Sequence, residues 1–316
     1  MTVNYYIATV EVIDQVRLNF SEANLFYLNL SLGFIMFGVA INLRLADFLR
    51  VIRNPKAALV GMLSQFFVLP ALTFLLILIV QPRPSFALGM MLVAACPGGN
   101  ISNFMVAMAR GNTALSVSLT AVSSTLAILM TPINLTLWAS LYAPTASILT
   151  EVHLNFWQLL KTISLLLLVP IVLGMLLRTW KPKVAEKLHP IMHYSSIFIF
   201  VAIVCIAFSA NFNLFLEYIH LVLLLVLAHN AIALTAGYQI GKMFRLKQAE
   251  RRSIAIETGI QNSGLGLILI FSFFNGLGGM AIVAAWWGIW HIISGLSLAF
   301  FWNKNSLVTQ SEISNV

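Results

Sequence analysis

The chain has 316 residues, of which 60% are hydrophobic and 9% charged, against about 25% charged in soluble domains; with a mean hydropathy of +0.93 this excludes a soluble globular protein and indicates a polytopic membrane protein. The net charge of +8 would suggest nucleic acid binding in a soluble protein, but membrane proteins concentrate Lys and Arg in cytoplasmic loops for topological reasons, so no nucleic-acid partner is implied. Cys96 and Cys205 both fall in apolar stretches without metal-ligand spacing, which leaves neither a disulfide framework nor a zinc site.

Residues 1–22 lack the basic start, apolar core and small-residue cleavage site of a signal peptide. Tyr6, Val10, Ile13, Val16 and Phe20 recur at helical spacing while Glu11, Asp14 and Arg17 fall largely elsewhere, which predicts an interfacial amphipathic helix. Nine apolar segments follow, each long enough at about 20 residues to cross roughly 30 Å of hydrocarbon. They run over Ala23–Leu43, Ala57–Val80, Phe86–Ala109, Ala114–Leu141, Phe156–Leu177, Ile191–Ala210, Leu214–Ile240, Ile254–Phe274 and Gly278–Trp302. Alternate connections differ sharply in charge. One set carries the basic residues of 44–56, Arg110, those of 178–187 and 242–252, and Lys304; the opposite set has only Arg17, Arg83 and Lys161. By the positive-inside rule the N-terminus is outside and the C-terminus cytoplasmic, with an odd number of spans. The expected location is a bacterial inner membrane, with the lipid bilayer as a partner and no obligate protein partner evident.

The third and eighth segments are both interrupted by polar, glycine-bearing runs. CPGGNISN (Cys96–Asn103) breaks the third with a proline and two glycines, and ETGIQNSG (Glu257–Gly264) breaks the eighth with a carboxylate, two amides and two hydroxyls. Hydrocarbon tolerates such backbone only where protein or a water-filled cavity surrounds it. The two segments run in opposite directions, so the pair points to an inverted-repeat transporter with its site near the midplane. The expected layout is an N-terminal amphipathic segment (1–22), a four-helix repeat (23–142), a five-helix repeat (156–302) and a cytoplasmic tail (303–316).

Several polar sets can converge on these breaks. Ser102 and Asn103 follow the first, and Ser116, Thr120 and Ser123 line one face of the fourth segment. Any one of these hydroxyls can instead bond back to the preceding turn. As a set with Glu257, hydroxyl, amide and carboxylate oxygens without a thiolate or imidazole cluster suit a hard cation, and sodium is the natural candidate. Gln65 lies mid-membrane and serves either an ion or a neighbouring helix. His229 and Asn230 read as interhelical glue, and His291 as either a cavity-facing or a structural group. Each break also creates a helix N-terminus able to attract an anion near Gly98, Gly99, Asn100 and Asn262, while unwound carbonyls such as those of Thr258 and Ile260 suit the cation.

The chain resembles the bile acid:sodium symporter family. The resemblance spans all nine segments and rests on FIMFGVAINL (Phe34–Leu43), SQFFVLPA (Ser64–Ala71), CPGGNISN followed by ARGNTALSVSLTAVSS, ETGIQNSGL, and WHIISG (Trp290–Gly295). It implies an all-α fold of two inverted repeats forming panel and core domains, with two broken helices that cross. It further implies one sodium held by Ser102, Asn103, Ser116, Thr120 and Glu257, and a second by Gln65 and Gln261 with backbone oxygens of Glu257, Thr258 and Ile260. The co-transported Na+ would accompany an organic anion, such as a bile acid or a small carboxylate or sulfonate, bound near Gly98, Gly99, Asn100, Asn262 and His291. The chain departs from the family pattern at three points: the amphipathic stretch replaces a first helix, Asn100 stands where Thr is common, and Ile292 replaces an amide.

The expected function is sodium-coupled import of an organic anion. The alternative is a proton-coupled or efflux carrier of the same fold. An enzyme is disfavoured, because Asp14 and Asp47 lie outside the spans and cannot form an intramembrane carboxylate pair, and HExxH is absent.

Overall fold

The computed structural model describes residues 14, 16–17, 22–53, 55–210 and 212–314. Helix α1 (Glu22–Ala40) leads through a tight turn into α2 (Leu45–Arg53), bent by 65° from it. Next come α3 (Pro55–Val80), the broken pair α4 (Pro84–Ala95) and α5 (Ile101–Met108), α6 (Thr113–Leu141) and α7 (Ala143–Glu151). The second half holds α8 (Phe156–Trp180), α9 (Pro182–Ala210), α10 (Phe212–Met243), the second broken pair α11 (Gln248–Gly259) and α12 (Ser263–Phe273), and α13 (Gly278–Ser314). Among the described residues five helices are long and apolar enough to cross a bilayer, or six if the bent α1–α2 pair counts as one span. The chain is therefore a helical, multi-pass membrane protein.

Local chemistry explains where the helices stop and start. Pro55, Pro84 and Pro144 open α3, α4 and α7 near their first turns, where a missing N–H is harmless. The Asn112 and Asn155 side chains accept N–H groups of the first turns of α6 and α8. Within α3 and α8 a wider turn, at Ser64–Val68 and Ser164–Leu168, precedes Pro70 and Pro170. A proline in a helix interior leaves a carbonyl one turn earlier without its usual donor, and just before Pro70 the Leu69 N–H bonds the Ser64 carbonyl, five residues back, which is the wider turn. The widened turn in α3 carries Ser64 and Gln65 into the interior, where both are buried.

Helices α1, α8 and α9 pack on one another, with Gly174 of α8 against the backbone of Ala40. The second, larger group surrounds α4, which is buried from Ser85 to Ala95 and contacts α3, α6, α7 and α13. Helices α10 and α11 approach closely: a Cβ on Gly237 would lie 2.8 Å from the Cα of Ala255.

The basic connections gather on one face. Arg50 bonds the Ala114 carbonyl, Asn112 N–H bonds Ala249, Arg252 bonds the Ala109 carbonyl and Arg110 bonds Asn303. The start of α9 joins this face through Ala185, which shares a hydrophobic cluster with Ile41. On the opposite face Asp14, Arg17, Pro84, Pro144, Ser147 and Glu151 line a cavity of about 470 Å³. The grouping matches the charge alternation read from the sequence. At the described part of the N-terminal stretch, Arg17 pairs with Leu277 in an antiparallel bridge and the Gly278 N–H bonds the Val16 carbonyl. These residues are extended there, not in the expected amphipathic helix, and the rest of that stretch lies outside the described residues.

Two helices went unread in the sequence. α2 occupies what reads as a basic loop, with Leu45, Leu49 and Ile52 exposed along one stripe and Asp47 bonded to the Arg44 N–H and to Arg50. α7 occupies the connection before the fifth apolar segment.

Candidate functional site

The two breaks cross where Gly98 and Gly99 of the first meet Ile260 and Gln261 of the second. Gly98 and Gln261 form an antiparallel bridge, in which the Gly99 N–H donates to the Ile260 carbonyl at 2.7 Å and the Asn262 N–H to the Pro97 carbonyl at 2.8 Å. These bonds satisfy backbone groups that the helix ends leave orphaned in a buried setting. Close approach requires glycine here, since a Cβ on Gly98 would meet Glu257 Oε2 at 2.9 Å and one on Gly99 the Gln261 carbonyl oxygen at 3.1 Å.

On one side of the crossing lies the Glu257 carboxylate, 5% exposed. Ser102 donates to its Oε1 at 2.6 Å, Ser116 donates to the same oxygen, and Thr120 lies 3.2 Å from Oε1 and 3.1 Å from Oε2. Asn103 Oδ1 joins the group, lying 2.7 Å from the Ser116 hydroxyl and 3.4 Å from that of Thr120. Glu257, Ser102, Asn103, Ser116 and Thr120 are thus brought together from α11, α5 and α6. Ser123 is not among them, as its hydroxyl donates to the Thr120 carbonyl at 3.2 Å. No Lys, Arg or His among the described residues pairs with Glu257, so its charge is stabilised only by neutral dipoles. A buried carboxylate costs several kcal/mol to desolvate without a countercharge, and the oxygens clustered on it provide the ligand chemistry of a hard cation. Among the described residues no three His, Cys, Asp or Glu side chains cluster in a way that could hold a metal ion.

On the other side two amides interlock. Gln65 Nε2 donates to Gln261 Oε1 at 2.8 Å and to the Cys96 carbonyl at 2.9 Å; Gln261 Nε2 reaches Gln65 Oε1 at 3.3 Å and the Thr258 carbonyl at 2.6 Å. Ser64 bonds Thr258 through their hydroxyls at 2.8 Å. The sequence left Gln65 between an ion role and a neighbouring helix; its amide bonds to both breaks, at the Gln261 side chain and the Cys96 carbonyl. Ser64 and the Cys96 carbonyl were missed, although Ser64 stands beside Gln65 in the same polar interruption of α3.

The anion-facing residues are less concentrated. Asn100 sits at the N-terminal edge of α5 and is half-buried. Asn262 caps α12 through its own side chain, accepting the Leu265 N–H at 3.0 Å, and its amide nitrogen lies 4.0 Å from Met36 Sδ of α1. It thereby takes up one of the donors expected to attract an anion. His291 is 4% exposed on α13, and its Nδ1 has no partner among the described residues. Ile292 packs with the cluster of Met105 and Ile260.

Comparison with known proteins adds a family profile described as Sodium Bile acid symporter family, which matches residues 29–218. A Bacillus subtilis (strain 168) protein named "Uncharacterized sodium-dependent transporter YocS" is 34% identical over 293 residues, covering 91% of this chain and 88% of that one. "Probable sodium/metabolite cotransporter BASS2, chloroplastic" of Oryza sativa subsp. japonica is 30% identical over 289 residues, 90% of this chain. "Probable sodium/metabolite cotransporter BASS1, chloroplastic" of Arabidopsis thaliana is 31% identical over 273 residues, 86% of this chain. The chain spans 65% of the length of each of these two plant proteins.

Proposed function

The chain belongs to the sodium bile acid symporter family, and from that membership we propose that it is a sodium-coupled secondary transporter importing an organic anion by alternating access. Relatives named as a transporter and as cotransporters argue against the enzyme reading. The observation that carries the proposal is the Glu257 carboxylate, buried without a cationic partner under Ser102, Ser116 and Thr120.

In this reading one sodium ion binds at the Glu257 carboxylate, with Ser102, Asn103, Ser116 and Thr120 as oxygen ligands; the hydroxyls keep their protons and turn their lone pairs to the ion in place of their hydrogen bonds to Glu257. A second lies at Gln65 and Gln261 with backbone oxygens of Glu257, Thr258 and Ile260; there the amides would turn their oxygens inward and release the bonds they make to each other. Both ions would lock the crossing, because the ligands come from both broken helices and from α3 and α6. That ordering favours anion binding near Gly98, Gly99, Asn100, Asn262 and His291, and by reciprocity the anion favours sodium. The group α1, α8 and α9 serves as the panel and the larger group as the core, and their relative motion exposes the site alternately to the two faces. The basic face is cytoplasmic and the membrane is a bacterial inner membrane.

Uptake of radiolabelled candidate anions (bile acids, keto acids, sulfonates) into proteoliposomes under imposed gradients tests this. Uptake is expected to require inward sodium and to be lost in Glu257→Ala. Wild-type uptake that follows a pH gradient and ignores sodium would establish the proton-coupled alternative instead.

A further inference from the structure

The sequence left Asn230 as interhelical glue and WHIISG as one of the stretches carrying the family resemblance, and the structure joins them at the second break. Asn230 of α10 is fully buried. Its Nδ2 donates to the Gly259 carbonyl at 2.8 Å, and its Oδ1 accepts from the Ser294 hydroxyl of α13 at 2.6 Å. The amide orientation follows from chemistry, since a backbone carbonyl only accepts and must face the nitrogen. The Ser294 hydroxyl has a single proton. The His291 carbonyl, at 3.2 Å, is its longer alternative, so Asn230 is the principal acceptor.

Gly259 lies between Thr258 and Ile260, two of the three residues whose carbonyls are assigned to the second sodium. At this helix end the three successive carbonyls have three different partners: Thr258 takes Gln261 Nε2, Gly259 takes Asn230 Nδ2, and Ile260 takes the Gly99 N–H. The middle one is held toward α10 while the outer two are held toward the crossing. Tight packing leaves little room for another arrangement. A Cβ on Gly259 would lie 2.3 Å from Leu234 Cδ2 of α10, and one on Gly295, next to Ser294, would lie 2.7 Å from Ile260 Cδ1.

We propose that Asn230 and Ser294 are positioning residues for the second sodium site, fixing the Gly259 carbonyl toward α10 so that the Thr258 and Ile260 carbonyls on either side of it stay turned toward the crossing. Neither residue touches the ion. They act as outer partners of metal ligands do, and loss of such partners weakens affinity by about 10- to 100-fold. This inference rests on the sodium reading of the site.

The test is a sodium titration of thermal stability on the purified full-length protein in detergent, with potassium keeping ionic strength constant. Asn230→Ala and Ser294→Ala are expected to raise the sodium concentration at half-maximal stabilisation by about tenfold. Ser294→Thr, which keeps the hydroxyl, is expected to stay within about twofold of wild type. If Asn230→Ala does not fold, the serine pair carries the same comparison. A sodium midpoint unchanged in the alanine variants, with only the melting temperature in potassium lowered, would mean a purely structural tie and would overturn the inference alone. A wild type that shows no sodium-dependent stabilisation overturns the sodium reading and this inference with it.

Discussion

At Glu257 two large terms oppose each other when no cation is bound. Desolvating the carboxylate costs several kcal/mol, while hydrogen bonds to a charged group contribute about 1.5–3 kcal/mol each, and Ser102, Ser116 and Thr120 all point at it. Glu257→Gln removes the desolvation cost and weakens the bonds together, so stability in potassium is expected to stay within about 1–2 kcal/mol of wild type. The stabilisation by sodium is a separate quantity, set by RT ln(1 + [L]/Kd), and Glu257→Gln is expected to lose most of it. Paired melting curves in sodium and potassium measure both, and full sodium stabilisation in Glu257→Gln would remove the carboxylate from the ion site. Gln65 and Gln261 differ in that they satisfy each other. Replacing either by Ala strands a buried amide at a cost of about 1–3 kcal/mol, and the double variant is expected to cost less than the sum of the singles. Additive losses in that double-mutant cycle would show that the two amides act independently.

The two broken helices depend on backbone approaching backbone, which the pair of glycines permits. Gly98→Ala would place a Cβ 2.9 Å from Glu257 Oε2 and 3.4 Å from the Glu257 carbonyl oxygen, and overpacking of this kind costs about 1–3 kcal/mol. Gly33→Ala on α1 has nothing within 4 Å of the added carbon and is expected to be neutral or slightly stabilising, because it lies inside a helix. Melting temperatures of the two variants compare them directly; equal values would mean that the crossing yields without strain. The breaks were legible in the sequence because a carboxylate and amides inside an apolar run demand an enclosing structure. The glycines beside them were legible as loosened helix. The partners were harder to read. Ser123 shares a helical face with Ser116 and Thr120, but its hydroxyl bonds its own helix, a choice decided by fractions of a turn. Asn230 meets Gly259 and Ser294 from 29 and 64 residues away, and no periodicity records such a pairing. α2 was hidden for another reason: its charges and its apolar stripe of Leu45, Leu49 and Ile52 average to the composition of a loop, so only their angular order marks it as a helix.

Across the whole molecule, the arrangement of connections ties topology to function. Four basic connections converge on one face through the contacts of Arg50, Asn112, Arg252 and Arg110 and through Ala185 in a cluster with Ile41, while Asp14, Arg17 and Glu151 share the other. Lys and Arg are retained on the cytoplasmic side during insertion, so the proposed import runs from the face of Glu151 toward the face of Lys181. Both residues are exposed and neither belongs to the crossing. In a Cys96→Ala, Cys205→Ala background, a cysteine placed at Glu151 is expected to react with a membrane-impermeant thiol reagent in intact cells. One placed at Lys181 is expected to react only after the membrane is opened. The reverse pattern would turn the molecule over, with the ion and anion sites unchanged and the direction of symport still set by the sodium gradient; labelling at both positions in intact cells would break the alternation of charge on which the topology rests.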